Sequence, residues 1–321
     1  MTVEPSRRRA AGRAAYEPPS GRQLHLANGD QQAVVTEVGA TLRSYTVGDQ
    51  PILDGFAEHE ICSVARGQLL IPWPNRLGDG RYSFGGTDHQ LPLDEPELGN
   101  ALHGLVRWDN WAAEPHSASR LTMRHRLHPQ PGYPFCLELT ADYHLESTGL
   151  TVSLEAINLG HAPAPFGAGA HPYLRVGTPL IDTCTLRIPA STALHTDSRF
   201  LPAGRAQVAG TDRDFREPRL IGAIRIDASY TGLIRDPDGL ARVTLEDPDG
   251  RRLTLWADEY FRWLQLFGGD PLPAGERRRG LAVEPMTCPP DAFRSGEDLI
   301  VLEPGETSGG RWGIDVTGFR R

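Results

Sequence analysis

Cysteine is scarce and scattered. Four thiols, Cys62, Cys136, Cys184 and Cys288, are spread over 321 residues with no CxxC pair among them. That density excludes a disulfide-stapled secreted scaffold and offers no thiolate zinc site, so reduced, mostly buried thiols are expected. Basic charge is not in excess either: 33 Lys and Arg stand against 41 Asp and Glu, a net charge of -8. A nucleic-acid partner, which needs a basic stripe, is therefore not expected. No run near 18 apolar residues occurs, and the basic segment Arg7-Arg8-Arg9-Ala10-Ala11-Gly12-Arg13 precedes no apolar stretch. Neither a membrane-spanning helix nor a secretory leader is expected. The first 20 residues read as a flexible tail, residues 21–321 as a single domain, and the whole as a soluble cytoplasmic protein.

Several catalytic signatures are missing as well. No GxSxG nucleophile elbow and no HExxH metal motif occur, and Gly167-Ala168-Gly169 opens no helix that could cradle a phosphate. His125 and His128 lie three apart on a strand-like run, which points them to opposite faces and makes them a poor ligand pair. Neither a metal nor an organic cofactor is expected.

What the chain has is strand patterning and turns. Leu137, Leu139, Ala141, Tyr143 and Leu145 alternate with mainly polar residues, as do Leu150, Val152, Leu154 and Ala156. Such period-two alternation puts one face in a core and one toward water, and Glu146-Ser147-Thr148-Gly149 between the runs reads as a hairpin turn. A second hairpin is expected at Ala241 to Leu245 and Arg252 to Trp256, joined through Asp247-Pro248-Asp249-Gly250. Further strand-like runs occur at Gln31 to Val38, Thr41 to Val47, Arg120 to Leu127, Cys184 to Ile188, Arg262 to Phe267 and Gly280 to Glu284. No amphipathic helix of three turns is present, and 35 Gly and 27 Pro punctuate the short runs. These features favour an all-β sandwich or barrel.

Four segments break the alternation and place reactive side chains among Gly, Pro and aromatic residues: Ile71 to Gly86, Asn100 to Arg107, Gly167 to Leu174 and Leu281 to Phe293. Sites are usually built on such irregular segments of a rigid scaffold. His171 precedes Pro172, which biases it toward extended geometry, and an imidazole can donate or accept a proton at cellular pH. Glu284 ends the apolar run Leu281-Ala282-Val283 before Pro285. A carboxylate leaving a buried strand has its charged form disfavoured and its basicity raised, although read alone Glu284 serves equally as a strand-end charge in water. His103 in Leu102-His103-Gly104 and Arg76 after Asn75 are ambiguous singly, since Arg76 would serve equally in a surface ion pair.

In combination and in order, these segments resemble the aldose 1-epimerase family, the galactose-mutarotase-like proteins. Asn75-Arg76, Leu102-His103-Gly104, His171-Pro172-Tyr173, Glu284-Pro285 and Pro290-Asp291-Ala292 are similar to that family's motifs, and the match runs from about Leu26 to Ile314. The resemblance implies a large antiparallel β-sandwich, a small-molecule sugar substrate, and a monomer or homodimer. It also implies roles. His171 is then the acid that protonates the ring oxygen, and Glu284 the base that takes the C1 hydroxyl proton. His103 and Arg76, with Asn75 beside it, hold ring oxygen or hydroxyls, and Asp227 and Gln265 are looser carry-overs to sugar hydroxyls. Such chemistry needs only a proton donor and an acceptor, expected on opposite sides of a hemiacetal. Trp73, Tyr173 and Phe293 are candidates to lie against the pyranose, with burial in the core an equal alternative for each.

Two departures bear on specificity. Leu174-Arg175 stands where galactose-type members usually have Phe-Asn, and Leu105-Val106-Arg107 replaces a second glycine after His103-Gly104. Arg107 and Arg175 therefore keep open an epimerase for phosphorylated or otherwise anionic sugars. Two other readings compete: a non-catalytic carbohydrate-binding module, and a glycoside hydrolase pairing Glu284 with Asp227 or Asp291.

Overall fold

The alternation seen in the sequence is realised strand by strand in the computed structural model, which describes residues 16–319. Leu137–Leu145 alternates buried and half-buried residues over its whole length. It pairs antiparallel with Gly149–Asn158, Leu145 opposite Leu150, and the Glu146 amide closes the turn on the Gly149 carbonyl at 2.8 Å. Ala241–Glu246 and Arg252–Ala257 form the second hairpin. There the Asp247 carboxylate accepts the amides of Asp249 and Arg251 at 3.0 and 2.8 Å, which fixes the turn as Asp does in such positions.

Two large antiparallel sheets carry the architecture. One has nine strands and includes both hairpins, with Thr307–Thr317 between Gly149–Asn158 and Arg252–Ala257. The other has eight; its middle runs Asp227–Leu233, Trp263–Phe267, Leu281–Met286, then Gly169–Ala170, with Tyr173–Leu174 also pairing onto Leu281–Met286. Leu139, Ala141 and Tyr143 of the first sheet share one apolar cluster with Leu264, Leu266, Leu281 and Val283 of the second. This is the packed interior of a β-sandwich, each sheet contributing alternate residues. A four-stranded sheet, Gln23–Asn28 to Gln50–Pro51, adds Leu26, Val35 and Tyr45 to the same cluster.

The second face of the eight-stranded sheet is also covered. Every residue of Leu281–Met286 is buried, yet alternate residues do different things: Leu281 and Val283 enter the core, whereas Ala282 and Glu284 face the other way. Glu284 therefore sits within the strand, which continues through Pro285 to Met286, rather than at its end. A proline is tolerated here because the neighbouring chain is itself interrupted at His171-Pro172, between Gly169–Ala170 and Tyr173–Leu174.

Among the described residues the α-helix is confined to Ala292–Ser295, and no helix is long and apolar enough to cross a membrane. Of the expected tail, residues 1–15 lie outside the described residues; the Pro18 and Ser20 carbonyls already accept the amides of Gly21 and Val38. All four cysteines are free; Cys184 and Cys288 are buried, Cys62 and Cys136 half-buried.

Candidate active site

On this second face of the eight-stranded sheet opens a cavity of about 360 Å³, bordered by Asn75, Arg76, His103, His171, Asp227, Gln265 and Glu284. All seven residues singled out from sequence thus meet in one place, although they span more than 200 positions of the chain. Trp73 and Phe293 do not join them. Their rings pack on each other at 5.5 Å between centroids, inside the apolar core, and only Tyr173 of the three expected aromatics borders the cavity. Asp291 is also elsewhere, accepting the Gly78 amide at 2.9 Å.

Cross-strand pairing places the acidic floor. Gln265 is opposite Glu284, and Ser229 is opposite Gln265. Because paired residues share a face of the sheet, these three side chains form a row. The Gln265 amide donates to Asp227 Oδ1 at 2.9 Å and accepts the Ser229 hydroxyl at 2.5 Å, so its orientation is fixed by its neighbours. Tyr173 and Phe267 flank Ala282 in the next row, and their rings meet edge to face over it at 6.4 Å.

His171 is held by its own backbone: its amide donates to Gln68 O at 3.0 Å, and its carbonyl accepts from Gly67 at 2.9 Å. The glycines before it have a packing cause, since a Cβ on Gly167 would come within 2.6 Å of Cys288 Sγ. The imidazole stacks on Tyr173 at 5.0 Å and brings Nε2 to 3.2 Å from Glu284 Oε1. Both side chains are more than nine-tenths buried, and His171 Nδ1 and Glu284 Oε2 find no hydrogen-bond partner among the described residues.

Burial dominates the electrostatics of this pair. Loss of water pushes the Glu284 carboxyl well above the usual carboxylate range, with Asp227 adding to the rise and Arg76 opposing it. The same desolvation pushes His171 down to about 3, with a further contribution from Arg107 and Arg66. Both groups are thereby driven toward their neutral forms.

His103 is set by a reciprocal bond. Its amide donates to Asn75 O at 2.9 Å, and its Nδ1 accepts the Asn75 amide at 3.1 Å. Both residues have left-handed backbones, φ 62 and 58, a region that Asn and His enter more readily than most residues. Gly104 follows at φ 76, and any Cβ there would lie 2.1 Å from Ile71 O, which accounts for the glycine of the Leu-His-Gly motif. An Nδ1 that accepts a backbone N–H leaves the proton of neutral imidazole on Nε2. His103 Nε2 is then a donor toward the cavity.

That tautomer decides whether a metal fits. One ligand atom from each of His103, His171 and Glu284 lies within 4.8 Å of the others, but a ring nitrogen carrying a proton has no lone pair to offer. With His103 unable to ligate, two ligands remain, fewer than a zinc site needs.

The arginines are engaged. Arg76 makes a bidentate bond to Glu95, both contacts 2.8 Å, and Arg107 donates to Asp94 at 2.6 Å and to Leu102 O at 2.9 Å. Arg107 borders the cavity, but Arg175 does not; its amide binds Ile52 O instead. Strict alternation would put Arg175 on the face of His171 and Tyr173, but the chain leaves the ladder at His171-Pro172. Sequence reasoning missed Asp94, Glu95, Val64, Ala65, Trp108 and Phe267, all of which line the cavity. Phe267 alone carried a usable signal, two positions from Gln265 on the same strand.

The sequence model of the aldose 1-epimerase family matches residues 22–314. The uncharacterised protein YihR of Escherichia coli K12 is 35% identical over 289 residues, 89% of this chain and 91% of that protein. Galactose mutarotase of mouse is 27% identical over 226 residues, 64% of this chain and 65% of that protein. Among solved structures, a GalM/aldose epimerase homologue from C. elegans superposes with a TM-score of 0.82 at 17% identity, covering 92% of this chain and 98% of its own. A putative aldose 1-epimerase from E. coli K12 gives 0.79 at 23%, covering 92% and 99%.

Proposed function

The chain belongs to the aldose 1-epimerase family, and from this and the cavity we propose that it interconverts the α and β anomers of a free aldose by acid-base catalysis through ring opening. The observation that carries the reading is the 3.2 Å separation of His171 Nε2 and Glu284 Oε1. The hydroxyl oxygen O1 and the ring oxygen O5 are bonded to the same carbon, so the groups that serve them must be neighbours. This replaces the expectation of an acid and a base on opposite sides of the ring.

Ring opening then proceeds in one exchange. Glu284 takes the proton from O1 as His171 gives one to O5; the C1–O5 bond breaks and C1 becomes an aldehyde carbon. Rotation about C1–C2 presents the other carbonyl face. Closure runs the exchange backwards, neutral His171 taking the O5 proton and the Glu284 carboxyl returning one to O1. Throughout, the pair holds a single proton and stays electroneutral as a unit. Burial makes carboxylate and imidazolium the less favoured forms, so it strengthens Glu284 as a base and His171 as an acid in the opening step. The His103 Nε2 proton, Gln265 and Asp227 supply polar contacts for the remaining oxygens, and Arg76 is steadied by Glu95.

Charge balance favours a neutral sugar. Each guanidinium bordering the cavity is matched by a carboxylate on the same wall, Arg76 by Glu95 and Arg107 by Asp94, and Asp227 and Glu284 add further acidic groups. An anionic substrate would meet no uncompensated cation. The test is anomer-resolved NMR on a panel of free aldoses dissolved as single anomers. Acceleration of at least one over buffer supports the reading; a folded protein that accelerates none, or that cleaves an oligosaccharide instead, overturns it.

A further inference from the structure

We propose that Trp108 is the surface on which the apolar face of the sugar rests at the cavity mouth, and that it is a determinant of which aldose is accepted; this rests on the reading that the ligand is an aldose. The chain has six tryptophans. Trp73, Trp111, Trp263 and Trp312 are between 0 and 3% exposed and Trp256 is partly buried. Trp108 is 53% exposed and borders the same cavity as His171 and Glu284. A large aromatic left in water beside a polar cleft gives up burial that its five counterparts obtain, and ligand contact restores it.

The backbone that carries the indole is anchored, and a guanidinium lies beside its ring. Val106, two residues before it, and Trp111, three after, are both buried at 0 and 1% exposure, and the Asp109 amide closes a turn on Val106 O at 3.3 Å. The Arg107 guanidinium, fastened to Asp94 and Leu102 O, lies 6.0 Å from the centre of the Trp108 ring. An indole on an anchored backbone has only two side-chain torsions to fix and binds with little loss of conformational freedom.

Competing platforms are occupied. The Tyr173 ring is stacked against His171, 17° from parallel, and Phe267 meets Tyr173 edge-on. A pyranose presents hydroxyls around its rim and C–H bonds on its faces. The rim is matched by His103, Gln265 and Asp227, which leaves a face in need of a flat apolar partner, and Trp108 supplies it.

The experiment titrates the full chain with 1-deoxy aldopyranoses, which lack O1 and cannot open, while tryptophan emission is recorded; anomer exchange is measured in parallel. The expected result is a saturable emission change in the parent that disappears in Trp108→Phe. Trp108→Ala should raise KM about tenfold while kcat stays within about twofold, with Trp108→Phe restoring most of the KM. An emission change that persists in Trp108→Phe, or an unchanged KM in Trp108→Ala, overturns the assignment. If the parent exchanges anomers and only these outcomes fail, Trp108 alone is misassigned; a parent that exchanges no aldose overturns the underlying function instead.

Discussion

Gln265 and Glu284 face each other across adjacent strands, and the amide of Gln265 is locked between Asp227 and Ser229. The carboxyl therefore has a fixed polar neighbour on one side and the His171 imidazole, 3.2 Å from Oε1, as another. If Glu284 is the base, removing its charge should cost function and leave these surroundings in place.

Glu284→Gln and His171→Asn are each expected to slow anomer exchange by about 10²- to 10⁴-fold, the usual range for one proton-transfer partner. The double variant should be little worse than the slower single one, because the two residues share one proton and act as a unit. Polarimetry on the purified variants, with circular dichroism as a check on folding, decides this: near-parental turnover in either single variant removes that residue from the reaction.

Linkage gives a test that is independent of turnover. The folded-state pKa of Glu284 is raised, so the folded protein keeps a proton that the unfolded chain releases. The stability this contributes is complete below the ordinary carboxylate pKa and is lost as pH rises toward the folded value. Glu284→Gln, which has no charge to bury, should melt higher than the parent at pH 7.5, by roughly a few degrees. The advantage should shrink on acidification to about pH 4, where the carboxyl is protonated in the folded state and mostly so in the unfolded chain. Melting curves at the two pH values check the sign, and a variant less stable at pH 7.5 contradicts it.

Asp94→Asn would free the Arg107 guanidinium from its partner. The kcat/KM of a hexose 6-phosphate relative to the free hexose should then rise, by about tenfold for 1.4 kcal/mol of new attraction. Arg175→Ala, outside the cavity, should leave that ratio where it is. A parent enzyme that already prefers the phosphate, and loses the preference in Arg107→Ala, would reverse the assignment to a neutral sugar.

EDTA should leave the rate unchanged, since the tautomer of His103 withholds the third ligand. Loss of activity restored by one added divalent cation would show that the Asn75 amide does not hold His103 as described.

The sequence made the sheets legible where one face meets water, as in Leu137–Leu145, and left them ambiguous where both faces are covered. Leu281–Met286 reads as a plain apolar run because Ala282 and Glu284 are buried beneath the cavity while Leu281 and Val283 are buried in the core. Motif residues such as Asn75, His103 and His171 stand out because their turns demand Gly, Pro or left-handed backbone nearby. Their partners do not. Glu95 and Asp94 lie in an exposed turn whose acidic residues resemble any other, and only the folded chain shows that they neutralise Arg76 and Arg107. Trp73 and Phe293 show the converse, adjacency to a motif in sequence without adjacency to the cavity in space.

Ala282 lies between Tyr173 and Phe267 in the row beside Glu284 and Gln265, and its side chain is a single methyl. The backbone ladder is indifferent to what projects from it, so a bulkier residue at this position, or a trimmed one at 267, should redraw the cavity while leaving the stacking of His171 on Tyr173 in place. On the proposed function, substrate range and chemistry can then change separately: single steps along this row would alter the space offered to the sugar while Glu284 in the next row and His171 above it stay as they are.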